Sequence, residues 1–428
     1  MIACSTSRKF ETFEKFFLNA MKTLWIFHFV FLTTAATLRG QGVEGFTLTK
    51  PTQASPTNTI SFTLPASKLN QLHQAKGEKL SFDAPVVIVN GDSINTKHIR
   101  IRGKTSSYLR RKSLNIKLSK KASFYAPSDT FSLKKFYAIS MSMDRNYIRN
   151  RIACEVLHHL NVKVPINAYA NLLINGKTEG LYLAFYPPEE FGLEKCDASL
   201  VIRRGYDASI DGFQYENISK KDAAALNQKF QSIYKDILRK NKGEQLYNQL
   251  EDVLDLEGYF AWLAFNDLFQ NGDYADEVYL MWNKTKTKFE VIPWDFDDIL
   301  HSQPHEGLEK RNAALHDKLL FSSEDALDVK IAEDDFLYMK YLQTYKRVLD
   351  KLSPSFLSGI FNGVFQEVYP FYQQTDIIGQ SQFDTSGLTD MEKLETDMRN
   401  IYQTINAKAV NLRLQVNSLL EGYESTAK

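Results

Sequence analysis

The chain has 428 residues, 43% of them hydrophobic and 13% aromatic, which suits a globular protein with a large core and excludes a disordered chain. Its 52 basic and 51 acidic residues leave a formal net charge of +1. With no nucleic-acid-binding motif beside that balance, neither nucleic acid nor an acidic membrane surface is an expected partner.

In chain order, Lys22 is followed by the apolar run Leu24 to Leu32 and then by small and polar residues. That pattern predicts a secretory signal peptide over residues 1–42, and the run is short for a membrane span. Met21, directly before it, is a second candidate start. No later apolar run is long enough to cross a membrane, so the expected mature chain is exported to the periplasm, the cell surface or the medium and carries no transmembrane span. Residues 43–58 read as a linker. Thr59 to Leu64, Val86 to Val89, Lys97 to Arg102 and Ser113 to Leu118 alternate or cluster as strands do, with a hairpin turn at Asn90-Gly91. Apolar residues at helical spacing predict a helix from Met143 to Leu160, capped by Asp144. Ala168 to Ile174 and Thr178 to Phe185 flank a second hairpin turn, Asn175-Gly176. Pro187-Pro188 then marks a boundary between a sheet-rich part, 59–187, and a mainly helical part, 188–428. The expected class is α+β.

In the second part, Lys221 to Arg239 reads as an amphipathic helix and Leu256 to Phe269 as a buried one. The strands Val278 to Trp282 and Phe289 to Ile292 follow, and helices run from Leu308 onward. Cys154 and Cys196 either pair, as export allows, or stay as two buried thiols. Asn217 and Asn283 open glycosylation sequons.

Three stretches carry candidate chemistry. Arg102-Gly103-Lys104-Thr105-Ser106 ends a strand, with Lys112 and Lys117 beyond. A glycine turn with hydroxyls and cations can cradle phosphates, and it can equally be a solvated basic hairpin. Asp273 follows the buried helix, placed either to orient a hydroxyl or to form an Asx turn. Asp295, Asp297 and Asp298 stand among Trp294, Phe296 and Ile299, as hard-cation ligands or as a solvated acidic turn. Cations on one side and carboxylates on the other follow the logic of phosphoryl transfer. His301, His305 and His316 match no metal-binding spacing, which leaves a metal-dependent hydrolase as the weaker reading.

In order, the chain resembles the spore-coat protein H (CotH) kinase family. The matching stretches are Arg102-Gly103 with Arg111-Lys112-Ser-Leu-Asn-Ile-Lys-Leu; Asp144-Arg-Asn-Tyr-Ile-Arg-Asn; Ile174-Asn-Gly-Lys-Thr-Glu-Gly-Leu-Tyr-Leu; Asn271-Gly-Asp; and Ile292-Pro-Trp-Asp-Phe-Asp. The resemblance implies an atypical protein-kinase-like bilobal fold, with an antiparallel-sheet N-lobe and a mainly helical C-lobe. It implies ATP with Mg²⁺ or Mn²⁺, and a protein substrate at the envelope or surface. It casts Asp273 as catalytic acid or base, Asp295 and Asp297 as metal ligands, and Arg102, Lys104, Ser106, Lys112 and Lys117 around the phosphates. Glu155 would be the helix glutamate that pairs with a lysine. The chain departs from the family pattern at Lys104, where the family has asparagine, and at Tyr186-Pro187-Pro188, where a glutamate is usual. It departs again at Asp276-Glu277, where an asparagine metal ligand is expected, so Glu277 becomes the candidate there. These departures open an alternative, a non-catalytic interaction protein on the same fold.

Overall fold

The computed structural model describes residues 46–53, 56–126, 130–205, 209–300, 315, 317–322, 324–380 and 389–426. The expected presequence and the three histidines near residue 310 lie outside these. Among the described residues no helix is long and apolar enough to cross a membrane.

Tight turns set the first sheet. Asn90 and Gly91 take φ of 52° and 90°, and Asn175 and Gly176 take 55° and 74°. Two consecutive positive-φ residues match the right-handed twist of the strands they join. The elements are β1 (Asn58–Phe62), α1 (Ala66–Gln74), β2 (Ser81–Phe82), β3 (Val86–Val89), β4 (Asp92–Arg102), β5 (Ser113–Tyr125), β6 (Thr130–Ile139), α2 (Arg149–His159), β7 (Asn167–Ile174) and β8 (Lys177–Phe185). Their strands make one sheet of order β2-β4-β3-β1-β7-β8-β6-β5. β4 pairs with β3 through its first half and with β2 and β5 through its second, so the order closes on itself. The β1–β7 pair is parallel.

Beyond Pro187, α3 (Pro188–Lys195) leads to β9 (Ala198–Arg204) and β10 (Ile210–Tyr215). Then come α4 (Lys220–Ser232), α5 (Gly243–Glu251), α6 (Leu256–Phe269), β11 (Val278–Asn283) and β12 (Lys288–Pro293). The second sheet runs β10-β9-β11-β12, all antiparallel. The part read as mainly helical thus carries a four-stranded sheet. α6 is buried on every side from Tyr259 to Phe269, and all but Asn266 and Asp267 of those residues are apolar or aromatic. The long helices α8 (Asp335–Lys351), α9 (Pro354–Tyr372) and α10 (Met391–Thr426) follow the shorter α7 (Ala326–Glu333). α8 packs on α6 and α10, and α9 on α2.

The expected helix from Met143 starts later, at Arg149. Met141 and Tyr147 hold positive φ, which is incompatible with a continuous helix. Asp144 still serves the helix start: its carboxylate accepts the Asn146 N–H at 3.1 Å and the Arg149 N–H at 2.6 Å. Cys154 and Cys196 are buried free thiols, each pushed up to about 12 by burial. Asn217 is exposed, but Asn283 is buried, its amide bonded to the Cys196 carbonyl and Glu290.

Candidate active site

The basic stretch forms where β4 ends. Gly103 takes φ of 97°, and a Cβ there would lie 2.1 Å from the Ser106 hydroxyl, so only glycine fits. This sharp corner drops into a short 3-10 turn, Thr105–Tyr108. The Arg102 guanidinium lies over the Tyr137 ring at 4.0 Å and the Trp294 ring at 5.0 Å. The two rings hold a cation while leaving its hydrogen-bonding edge for other partners. Lys104 reaches across to Asp276, 3.3 Å away.

The acidic stretches are brought together by the β11–β12 hairpin. α6 ends at Gln270 in the left-handed conformation, which turns the chain into Asn271-Gly272-Asp273. Gly272 N–H donates to Asp298 at 3.0 Å, and Trp294 N–H donates to the Glu277 carbonyl at 3.0 Å. These two bonds tie the segment before β11 to the segment after β12. Asp295 sits at φ of 51°, an unfavourable conformation for a non-glycine residue and one that recurs at functional sites.

Between the two sheets lies a cleft of about 1100 Å³ that carries Arg102, Lys104 and Ser106 on one side and Asp273, Glu277, Asp295 and Asp297 on the other. Burial raises the Asp295 carboxyl, while Arg102 and Arg203 oppose that rise. Asp297 is raised well above the usual range by burial and then by repulsion from Asp295, Asp273 and Glu277. Glu277 is pushed up to about 8 by burial and Asp295, and Arg203 works against the rise. Carboxylates crowded in this way favour either a shared proton or a bound cation.

Three of the candidate residues lie elsewhere. Lys112 is buried, and its ammonium donates to the carbonyls of Ala75, Ser107 and Leu109. It holds the turn in place from behind. Lys117 faces a separate cavity of about 250 Å³ with Lys135 and Glu190. Glu155 pairs with Arg151 of its own helix, not with a lysine.

Further residues that had no role from the sequence alone join the cleft. Arg203 on β9 pairs with Glu277 at 3.1 Å and reaches the Asp276 carbonyl. Asn150 accepts the Phe296 N–H, and Arg149 donates to the Asp297 carbonyl at 3.2 Å. Glu189, in the first turn of α3, also lines the cleft. Arg149 and Asn150 belong to one of the stretches that resemble the family pattern, whereas nothing in the local sequence around Arg203 points to the cleft.

Among the described residues no group of three histidine, cysteine, aspartate or glutamate side chains is placed to hold a metal ion. Carboxylate oxygens are still the donors a hard cation takes. Magnesium commonly binds one or two of them and completes its shell with phosphates and water. The donor set therefore suits a cation that arrives with phosphates, not a preformed protein cage.

The model of the CotH kinase protein family matches residues 99–408. The inner spore coat protein H of Bacillus subtilis is 23% identical over 328 residues, covering 69% of this chain and 84% of that protein. Among solved structures, the Helicobacter pylori proinflammatory kinase CtkA is 11% identical, covers 70% of this chain and 94% of its own, and gives a TM-score of 0.31. A chain of the Shewanella oneidensis toxin–antitoxin complex of HipA, HipB and operator DNA is 12% identical, covers 87% and 76%, and also gives 0.31.

Proposed function

This chain belongs to the CotH kinase family, and from that premise we propose that it transfers the γ-phosphoryl group of ATP to a hydroxyl of a protein at the envelope or surface. The observation that carries the reading is the cleft itself, where Arg102, stacked on two rings, and Lys104 share the lining with Asp273, Asp295 and Asp297. The two sheets would mark the two lobes of a kinase-like fold, with the nucleotide between them.

In this reading Arg102, Lys104 and the Gly103–Ser106 turn neutralise and cradle the phosphates. Asp295 and Asp297, with Glu277 beside them, would hold Mg²⁺ or Mn²⁺, which supplies charge neutralisation to the phosphates. Asp273 orients the acceptor hydroxyl and takes its proton as the hydroxyl oxygen bonds to the γ-phosphorus. The bond to the bridging oxygen breaks, and ADP leaves with that electron pair. Arg203 restrains Glu277, and the bond from the Gly272 N–H to the Asp298 carboxylate keeps Asp273 next to the cation site. Arg149 likewise fixes Asp297 through its carbonyl.

A second reading rests on a specific observation. Lys104 pairs with Asp276, and Arg203 with Glu277, so the site's own charges neutralise one another in part. A non-catalytic interaction protein at the cell envelope is consistent with that. Incubation with γ-labelled ATP and Mg²⁺ or Mn²⁺ separates the two. Label transferred to protein, and lost in Asp273→Asn with folding retained, is the kinase result. The absence of transfer to any protein offered, with partner binding intact in the same variant, favours the second reading.

A further inference from the structure

Asn150 stands in the first turn of α2 and is 3% exposed. Its Oδ1 accepts the Phe296 N–H at 3.0 Å. That bond settles the orientation of the amide, because turning it over would set two donors face to face. The Nδ2 group is therefore the donor left over. It is buried and has no hydrogen-bond partner among the described residues, although Asn150 lines the cleft beside Asp295 and Asp297. Buried donors are satisfied almost everywhere in folded proteins, and an unmet one in a cleft wall marks a place where an acceptor fits, either a water or an oxygen of a ligand. The residue has little freedom to turn away. Its neighbour Arg149 is held at both ends, by its N–H to Asp144 and by its guanidinium to the Asp297 carbonyl.

We propose that Asn150 is a substrate-binding residue whose Nδ2 donates to a non-bridging phosphate oxygen of the bound nucleotide. The inference rests on the kinase reading above. The neighbouring acceptors of the protein, the Asp295 and Asp297 carboxylates, make no hydrogen bond with Nδ2. A phosphate chain drawn in by Arg102 and Lys104 from the opposite side brings acceptor oxygens to the same place. Asn150 would thus supply a carboxamide from the helix after β6, whereas the segment after Asp273 offers only Asp276 and Glu277. Its role in this proposal is that of a donor to the anion, through Nδ2, the atom left without a partner among the described residues.

The test compares ATP with adenosine, which lacks phosphates, by calorimetry in the presence of Mg²⁺. Asn150→Asp keeps the size and the acceptor for Phe296 N–H but removes the donor. Asn150→Ala removes the donor without adding charge and covers the case in which the aspartate variant fails to fold. The expected result is a loss of about tenfold or more in ATP affinity, as for a hydrogen bond to a charged group, with adenosine affinity unchanged. An equal loss for both ligands indicates a purely structural residue and overturns the proposal. So does wild-type ATP affinity in the folded variants. A wild-type protein that binds neither ligand removes the kinase reading and this inference together, a result distinct from the other two.

Discussion

Replacing Arg204 by methionine is expected to destabilise the protein strongly and in a pH-dependent way. Arg204 is fully buried, over the ring of Trp262 at 5.4 Å. Its Nε donates to the Ala275 carbonyl at 2.9 Å and its Nη1 to the Tyr259 hydroxyl at 2.6 Å. Asp325 and Asp328, both buried, each lie 3.5 Å from it. Methionine fills much of the volume but leaves two carboxylates without their cation. Breaking a buried ion pair from one side costs about 3–5 kcal/mol. With a urea slope of about 3 kcal/mol per M, the midpoint falls by roughly 1 M or more. Burial and Asp325 already push the Asp328 carboxyl up to about 7, against the pull of Arg204. Without that pull it rises further. A carboxyl raised in the folded state makes no loss of stability below its unfolded value near 4 and an increasing loss as pH rises above it. The deficit of Arg204→Met is therefore smaller at pH 5 than at pH 8. Urea titrations followed by tryptophan fluorescence at both values measure it. A midpoint equal to wild type at pH 7, or a larger deficit at pH 5, would refute the reasoning.

Gly103→Ala forces a side chain onto a φ of 97° and against Ser106, so a loss of about 1–3 kcal/mol in thermal or urea stability is expected, along with weaker nucleotide binding by calorimetry. Lys112→Met leaves three backbone carbonyls without their donor and is expected to cost about 3 kcal/mol in the same titrations. Lys117→Met, on a half-exposed position of β5, is expected to stay within about 0.5 kcal/mol of wild type and to bind nucleotide normally. Reversal of that order would contradict the roles given to the two lysines.

Much of the first sheet is legible because its signals are local. Asn90-Gly91 and Asn175-Gly176 each encode a tight turn, and α6 is too uniformly apolar to lie at the surface. β6 is hidden by Lys134-Lys135 in its middle, and β10 shows no alternation because every residue from Asp211 to Tyr215 is exposed at a sheet edge. In the candidate site the acidic residues stand out in sequence, since carboxylates among tryptophan and phenylalanine signal an unusual environment. The basic residues sort differently. Lys112 and Lys117 look as suited to phosphate as Arg102, yet only the way the strands and the turn fold decides that Arg102 meets Trp294 while Lys112 turns inward to carbonyls. Arg203 owes its place to the pairing of β9 with β11, a contact no local pattern reveals.

Calorimetric titration of the chain from Val43 onward with ATP, with and without Mg²⁺ or Mn²⁺, beside Asp295→Ala, tests the central claim most directly. The account predicts metal-dependent ATP binding by the wild-type chain and its loss in a variant that remains folded. A well-folded wild-type chain that binds no ATP with either metal would contradict it.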